Sequence, residues 1–225
     1  MSEAMHYDTA HLRPLARAYL SRRYTILFYT LLSTMVAAPI LTALQFSGAL
    51  IDLFLAASLV AAVMPVRSGA RRWTLLILTV LTWLAREVTG WLQHPALSAI
   101  TVGLWIAIAL FAAAAALRFA LSGESIDAEH LYAALSAYML AGIFFGVFYW
   151  AIEQLGPGSF SAGTEFSRMT ALYFSFITLA TLGYGDIVPR SDVARGLAIV
   201  EAVGGQLFLA VLVARLVALY GRAAK

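Results

Sequence analysis

The chain has 225 residues, 62% hydrophobic and 12% charged, with a net charge of +3 and a mean hydropathy of +0.84. A soluble domain is about 45–50% apolar, so composition excludes one and calls for an integral membrane protein. The lack of cysteine excludes disulfides and thiolate metal centres, and His6, His11, His94 and His130 form no metal-ligand pair at helical spacing.

Residues 1–23 carry Arg13, Arg17, Arg22 and Arg23, with Leu12, Leu15, Ala16, Tyr19 and Leu20 recurring among them at helical spacing. The segment is either an amphipathic helix on the inner membrane surface or a basic tail. It lacks the apolar stretch of a secretory signal. A spanning helix needs about 20 mostly apolar residues. Six segments meet that need: Tyr24–Phe46, Ala49–Val66, Trp73–Leu92, Leu97–Phe119, Leu131–Ile152 and Val193–Tyr220. Met169–Ala180 is also uncharged but too short to span, so it is expected to be re-entrant, which backbone tolerates where it lines a water-filled cavity.

Six spans leave both termini on one side. Arg13, Arg17, Arg22, Arg23, Arg67, Arg71, Arg72, Arg118, Arg222 and Lys225 fall there, against Arg86, Arg168, Arg190 and Arg195 opposite. Basic residues favour the cytoplasm, so both termini are expected to be cytoplasmic. Leu97–Leu117 contains no lysine or arginine. Each charge that crosses the membrane field is worth about 2.3 kcal/mol per 100 mV, so Arg118 alone cannot make this helix a steep voltage sensor. The run Ala112–Ala116 suits close helix packing, and residues 24–121 are expected to form a four-helix structural jacket. Asp52, Arg86 and Glu87 are expected to be structural as well: a carboxylate at a helix N-terminus, an arginine reaching the headgroups, or a pair between them.

Residues 122–130 form a polar linker. Gly123 ends one helix, Ser125 or Asp127 can cap the next, and Glu129 sits in its first turn. Residues 131–225 make the second unit. Gly142 and Gly146, four apart, allow close approach by the sixth span or the short helix. Tyr149 and Trp150 are expected at the outer interface, followed by an outer turret over Glu153–Arg168.

Next comes Thr178-Leu179-Ala180-Thr181-Leu182-Gly183-Tyr184-Gly185-Asp186. Glycine adopts positive φ without steric cost. A backbone that alternates left- and right-handed conformations turns successive carbonyl oxygens to one side. Those oxygens can replace the water around a dehydrated cation, and the Thr181 hydroxyl can add another. In the last span, Glu201 is a carboxylate within an apolar run and so a functional-site candidate. It lies about two turns from the outer end, where it is expected to face the back of the loop or the short helix. Gly204 and Gly205 each weaken a helix by about 1 kcal/mol relative to alanine. Gln206 is expected to face a cavity, with Leu209, Val213 and Val217 on the same face. Arg215 should reach the inner headgroups or ring the cytoplasmic mouth.

Short helix, Gly-Tyr-Gly loop, then spanning helix resembles the pore of tetrameric potassium channels, whose filter is built from backbone carbonyls. Leu182 stands where that family carries valine, a change in side chain only. The whole chain resembles the six-helix potassium-channel family. Its pore half looks like the simpler two-helix channels, and its first half is placed like a voltage sensor but lacks the arginines. The resemblance implies a homotetramer conducting K+ through the carbonyls of Thr181, Leu182, Gly183 and Tyr184, with Gly185 completing the loop. It also implies Tyr184 packed on Tyr173 and Phe174, Asp186 bracing the outer mouth, and a gating hinge at Gly204 and Gly205.

The expected fold is an all-α membrane protein with six transmembrane helices plus a re-entrant pore helix and a selectivity-filter loop. The expected function is passive K+ conduction across a bacterial inner membrane, with other copies of the chain and membrane lipids as partners. A non-selective cation channel is the alternative that the Gly-Tyr-Gly sequence argues against. A transporter or non-conducting sensor is the other, and a transporter should show internal repeats, which are missing here. No enzyme chemistry, organic cofactor or nucleic-acid partner is read. No ligand-binding domain is expected after Lys225, so the gating stimulus has no signature.

Overall fold

In the computed structural model the described residues are 22–44, 57, 60, 74, 76–82, 84–85, 95–122, 127–163 and 165–223. They form helix α1 (Arg23–Ala43), α2 (Pro95–Ala120), α3 (Ala128–Leu155), strand β1 (Phe160–Ala162), α4 (Arg168–Leu179), β2 (Ile187–Pro189) and α5 (Asp192–Ala223). Among the described residues, α1, α2, α3 and α5 are the four helices long and apolar enough to cross a membrane. The expected second and third spans lie outside the described residues except for scattered helical positions between 57 and 85. Asp52, Arg86, Glu87 and the basic segment before Arg22 lie outside them too.

Local chemistry sets the helix ends. Asp127 caps α3 by accepting from the His130 N–H at 3.0 Å, which satisfies one of the unpaired amides of a first turn. The backbone and side-chain hydrogen bonds from His130 hold the exposed Asp127 carboxyl below its ordinary range. The cap is therefore intact above that range and is lost as pH falls through the lowered value. Ser167 caps α4 through the Thr170 N–H at 3.2 Å. Helix α3 ends at Gly156, whose N–H returns to the Ile152 carbonyl at 2.9 Å.

Helix α1 has no acidic residue in its own first turn. Glu129, more than a hundred residues away in α3, supplies the missing carboxylate. It accepts from the Tyr24 N–H at 2.9 Å and the Thr25 N–H at 3.2 Å, and takes a further hydrogen bond from the Thr25 hydroxyl. This cap across helices ties the start of α1 to the start of α3. Losing a cap costs about 0.5–2 kcal/mol, so Glu129→Ala is expected to lower the thermal unfolding midpoint of the detergent-solubilised protein. An unchanged midpoint would show that the cap contributes nothing.

Helix α3 is the hub, in contact with α1, α2, α4 and α5. Lipid tails are as apolar as leucine, so helices associate in a membrane through close van der Waals packing of small residues. Ala112, Ala116 and Ala120 of α2 are buried at four-residue spacing and form one cluster with Ala133, Ala134 and Ala137 of α3. Tyr24, Leu27 and Leu31 of α1 close that cluster. At the same end, the Arg215 guanidinium of α5 donates to the Ser122 carbonyl at 3.0 Å, so it is tied to the chain just beyond α2.

On the other side of α3, Gly142 and Gly146 meet the short helix α4. A β-carbon on Gly142 would lie 2.6 Å from the Phe176 ring, and one on Gly146 would lie 2.9 Å from the Leu172 Cα. The short helix α4, rather than α5, is therefore what these glycines admit. Beyond α3, β1 and β2 pair antiparallel with Phe160 opposite Pro189, Ser161 opposite Val188 and Ala162 opposite Ile187. This two-stranded ribbon is absent from the all-helical expectation. It fastens the turret to the segment leaving the loop. Glu153 holds the turret closed by accepting from the Gly158 and Phe160 N–H groups at 2.8 and 3.1 Å.

Candidate ion-binding site

Helix α4 delivers the chain to the loop. Its last carbonyls are used by the residues that follow. Ala180 N–H donates to Phe176 O at 3.0 Å, and Thr181 N–H to Thr178 O at 2.9 Å. Leu182 and Gly183 N–H both reach Ile177 O, at 2.8 and 3.3 Å. The backbone then alternates. Thr181, Gly183 and Gly185 have φ of 57°, 52° and 80°, while Leu182 and Tyr184 between them are not among the positive-φ residues. Positive φ at a β-branched residue is strained, and such strain persists where the surroundings impose it. Among the described hydrogen bonds, none ends on a carbonyl oxygen of residues 181–185. The loop therefore uses the Thr181, Leu182 and Gly183 amides for its own support, and its carbonyl acceptors have no partner among the described residues. Such oxygens suit a hard, dehydrated monovalent cation. Among the described residues no group of three His, Cys, Asp or Glu could hold a metal in the ordinary way.

Behind the loop stands a buried carboxyl group. Glu201 of α5 is fully buried. The Tyr149 hydroxyl of α3 donates to its Oε2 at 2.6 Å. The Ser175 hydroxyl of α4 is hydrogen-bonded to its Oε1 and also lies 2.7 Å from the Gly142 carbonyl oxygen. One side chain thus links the three helices that frame the loop. Tyr149 is not at the lipid interface, where an aromatic at this end of a span is expected, because it shares the Gly142 and Gly146 face at the i+7 position and is fully buried. Sequence reasoning missed it and Ser175 as partners of Glu201. The spacing of Gly142, Gly146 and Tyr149 was the available signal. Trp150, the other expected interface aromatic, is half-buried with the Arg168 guanidinium 5.0 Å above its ring.

The expected filter supports divide. Tyr173 faces Asp186. Phe174 turns away: its ring lies 4.9 Å from Tyr149 and 5.3 Å from Phe160, in a buried cluster with Phe166, Ile187 and Ala194. Successive helical residues point in different directions, so within one chain the Tyr173 and Phe174 rings meet different neighbours. The Tyr184 ring is 67% exposed and pairs with neither in this chain.

Below the loop, the Tyr138 hydroxyl donates to the Leu179 carbonyl at 3.1 Å. Gly205 lies against the same carbonyl, where a β-carbon would come within 2.7 Å of the oxygen. Gly204 has open space around it. Gly205 is thus a point of close approach between α5 and the base of α4. The Gln206 Nε2 lies 3.4 Å from the Thr181 hydroxyl oxygen, which puts this face of α5 under the inner end of the loop. Leu209, Val213 and Val217 continue it and are exposed, but so are Ile199, Val203, Leu207 and Val211 elsewhere on the helix. In a single chain α5 is largely uncovered, and residues 181–186 of the loop are exposed.

Residues 133–222 match the family model described as an ion channel. The match takes in α4, the loop, nearly all of α5 and most of α3, but less than half of the chain. The chain is similar to two pore potassium channel b of Oryza sativa subsp. japonica, 43% identical over 65 residues, which is 28% of this chain and 16% of that protein. It is also similar to the inward rectifier potassium channel Kirbac3.1 of Paramagnetospirillum magnetotacticum, 37% identical over 78 residues, 33% of this chain and 24% of that one. Two-pore potassium channel 4 of Arabidopsis thaliana is 44% identical over 57 residues, 25% of this chain and 20% of that protein. The chain thus spans a quarter or less of these relatives' length. No solved structure matches at a significant level. The matches point to a channel rather than an enzyme.

Proposed function

We propose that this chain is a subunit of a potassium-selective channel, in which four copies surround one ion path and K+ is the transported ion. The observation that carries the reading is the alternation of φ at Thr181, Gly183 and Gly185, together with carbonyls that accept no hydrogen bond from the described residues. One strand offers oxygens on one side of an ion only, so a closed coordination shell needs further copies. The uncovered α5 and the open loop are in keeping with that. The similarity to named potassium channels supports K+ as the ion.

In this reading Thr181, Leu182, Gly183 and Tyr184 supply the ion-binding carbonyls and Thr181 adds its hydroxyl. Helix α4 aims its negative end at a central cavity and favours a cation there. Gln206, Leu209, Val213 and Val217 line that cavity. Asp186 braces the outer mouth, and Gly204 and Gly205 provide the place where α5 bends in gating. Residues 24–121 form a four-helix jacket, residues 122–130 a linker and residues 131–225 the pore, giving six spans in a bacterial inner membrane with both termini cytoplasmic.

K+ flux into proteoliposomes holding the purified protein tests the reading. Uptake driven by a K+ gradient is the expected result, and liposomes no leakier than protein-free ones would contradict it. Opening is expected to depend weakly on voltage, because α2 carries only Arg118, in its last turn, and steep gating needs several charges that cross the field. A conductance–voltage curve with an effective valence of several charges would overturn that expectation. Shallow dependence from ions moving within the filter would not.

A further inference from the structure

The hydrogen bonds around Glu201 contain a proton that neither serine nor tyrosine can supply. Tyr149 has one hydroxyl proton, and it points at Glu201 Oε2, 2.6 Å away. Ser175 also has one, but its oxygen makes two contacts: with the Gly142 carbonyl at 2.7 Å and with Glu201 Oε1. A carbonyl only accepts, and an ionised carboxylate only accepts. If Glu201 were ionised, two acceptors would face one serine proton. One oxygen–oxygen contact at hydrogen-bond distance would then hold no hydrogen, inside a site where Tyr149, Ser175 and Glu201 are all fully buried. Among the described residues, Tyr149 from α3 and Ser175 from α4 are hydrogen-bonded to Glu201, and Tyr138 of α3 is the other titratable group near it. No described Lys, Arg or His stands there to compensate a charge, and an uncompensated buried charge is costly.

We infer that Glu201 is a neutral carboxylic acid, the proton-bearing link in one directed chain from the Tyr149 hydroxyl through Glu201 and Ser175 to the Gly142 carbonyl. Each donor then has one acceptor. Tyr149 donates to Oε2, the acid proton on Oε1 goes to Ser175, and Ser175 donates to Gly142. The chain runs from α3 to α5 to α4 and back to α3. It holds Ser175 two residues before Ile177, whose carbonyl anchors the Leu182 and Gly183 amides. Glu201 is a positioning residue for the loop, and it acts through its proton rather than through a negative charge. Its effect on conduction rests on the proposed filter; its protonation does not.

Infrared difference spectroscopy of the reconstituted full chain near neutral pH, parent minus Glu201→Gln, reads the proton directly. The expected result is a protonated carboxylic-acid C=O stretch present in the parent and lost in the variant. Absence of that band would overturn the inference, and the measurement succeeds or fails whether or not the protein conducts. Conduction gives the second readout. Glutamine keeps an acceptor toward Tyr149 and one N–H donor toward Ser175, with its second N–H left over, so Glu201→Gln should conduct and select far better than Glu201→Leu. Glu201→Leu strands the Tyr149 and Ser175 hydroxyls, and is expected to lower K+ flux roughly tenfold or more. A Gln variant as impaired as the Leu variant would show that Glu201 works as a carboxylate.

Discussion

Gly183→Ala is expected to abolish K+-selective conduction while leaving the protein assembled. Gly183 has φ of 52° and nothing within 4 Å of where its β-carbon would sit. The harm therefore comes from the backbone and not from a clash. An L-residue held in the left-handed region costs about 1–2 kcal/mol, and four copies around one path would multiply that to roughly 4–8 kcal/mol. Conducting and non-conducting states of a switch differ by only a few kcal/mol. Thr181 already holds a strained positive φ, so the loop has little capacity for a second strained residue. Leu182→Val is the control, because Leu182 lacks positive φ and contributes its carbonyl rather than its side chain. The valine variant should conduct. K+ and Na+ fluxes measured on both variants check this, and an unchanged K+ over Na+ preference in Gly183→Ala would remove the loop from the ion path.

Gly205→Ala should be nearly as damaging, and Gly204→Ala should leave thermal stability intact. At Gly205 the added carbon would lie 2.7 Å from the Leu179 carbonyl oxygen and 2.9 Å from its Cδ1. The oxygen belongs to backbone at the end of α4 and also accepts from Tyr138, so it cannot move aside cheaply. Overpacking of this kind costs about 1–3 kcal/mol per chain. It pushes on the base of α4 two residues before Thr181. At Gly204 there is open space, and alanine there should strengthen the helix by about 1 kcal/mol. Thermal stability and K+ flux of the two variants separate contact from flexibility. Similar behaviour of both would mean that bending, not close approach, explains why glycine stands at these positions.

The long apolar runs were the most legible part of the chain. The first, fourth, fifth and sixth segments overlap α1, α2, α3 and α5, because twenty apolar residues in a row have few alternatives in a membrane. Met169–Ala180 read as a short helix for the same reason, and α4 occupies almost that range. What stayed hidden depends on contacts between distant residues. Phe160–Ala162 and Ile187–Pro189 are too short to show a strand period and pair across 25 or more residues. Glu129 looked like an ordinary first-turn acid of α3, and only the packing of α1 makes it a cap for another helix. Glu201 stood out as a carboxylate in an apolar run, but which hydroxyls meet it depends on the crossing of α3, α4 and α5. The contacts of Phe174 with Tyr149 and Phe160 were likewise hidden, because they join α4 to α3 and β1.

The most direct test of the account is the reversal potential of the purified protein in a planar bilayer, with K+ on one side and Na+ on the other at equal concentration. The account predicts a current that reverses far from zero, at the sign set by K+ moving down its gradient. A current that reverses near zero would contradict K+ selection by the Thr181–Gly185 loop.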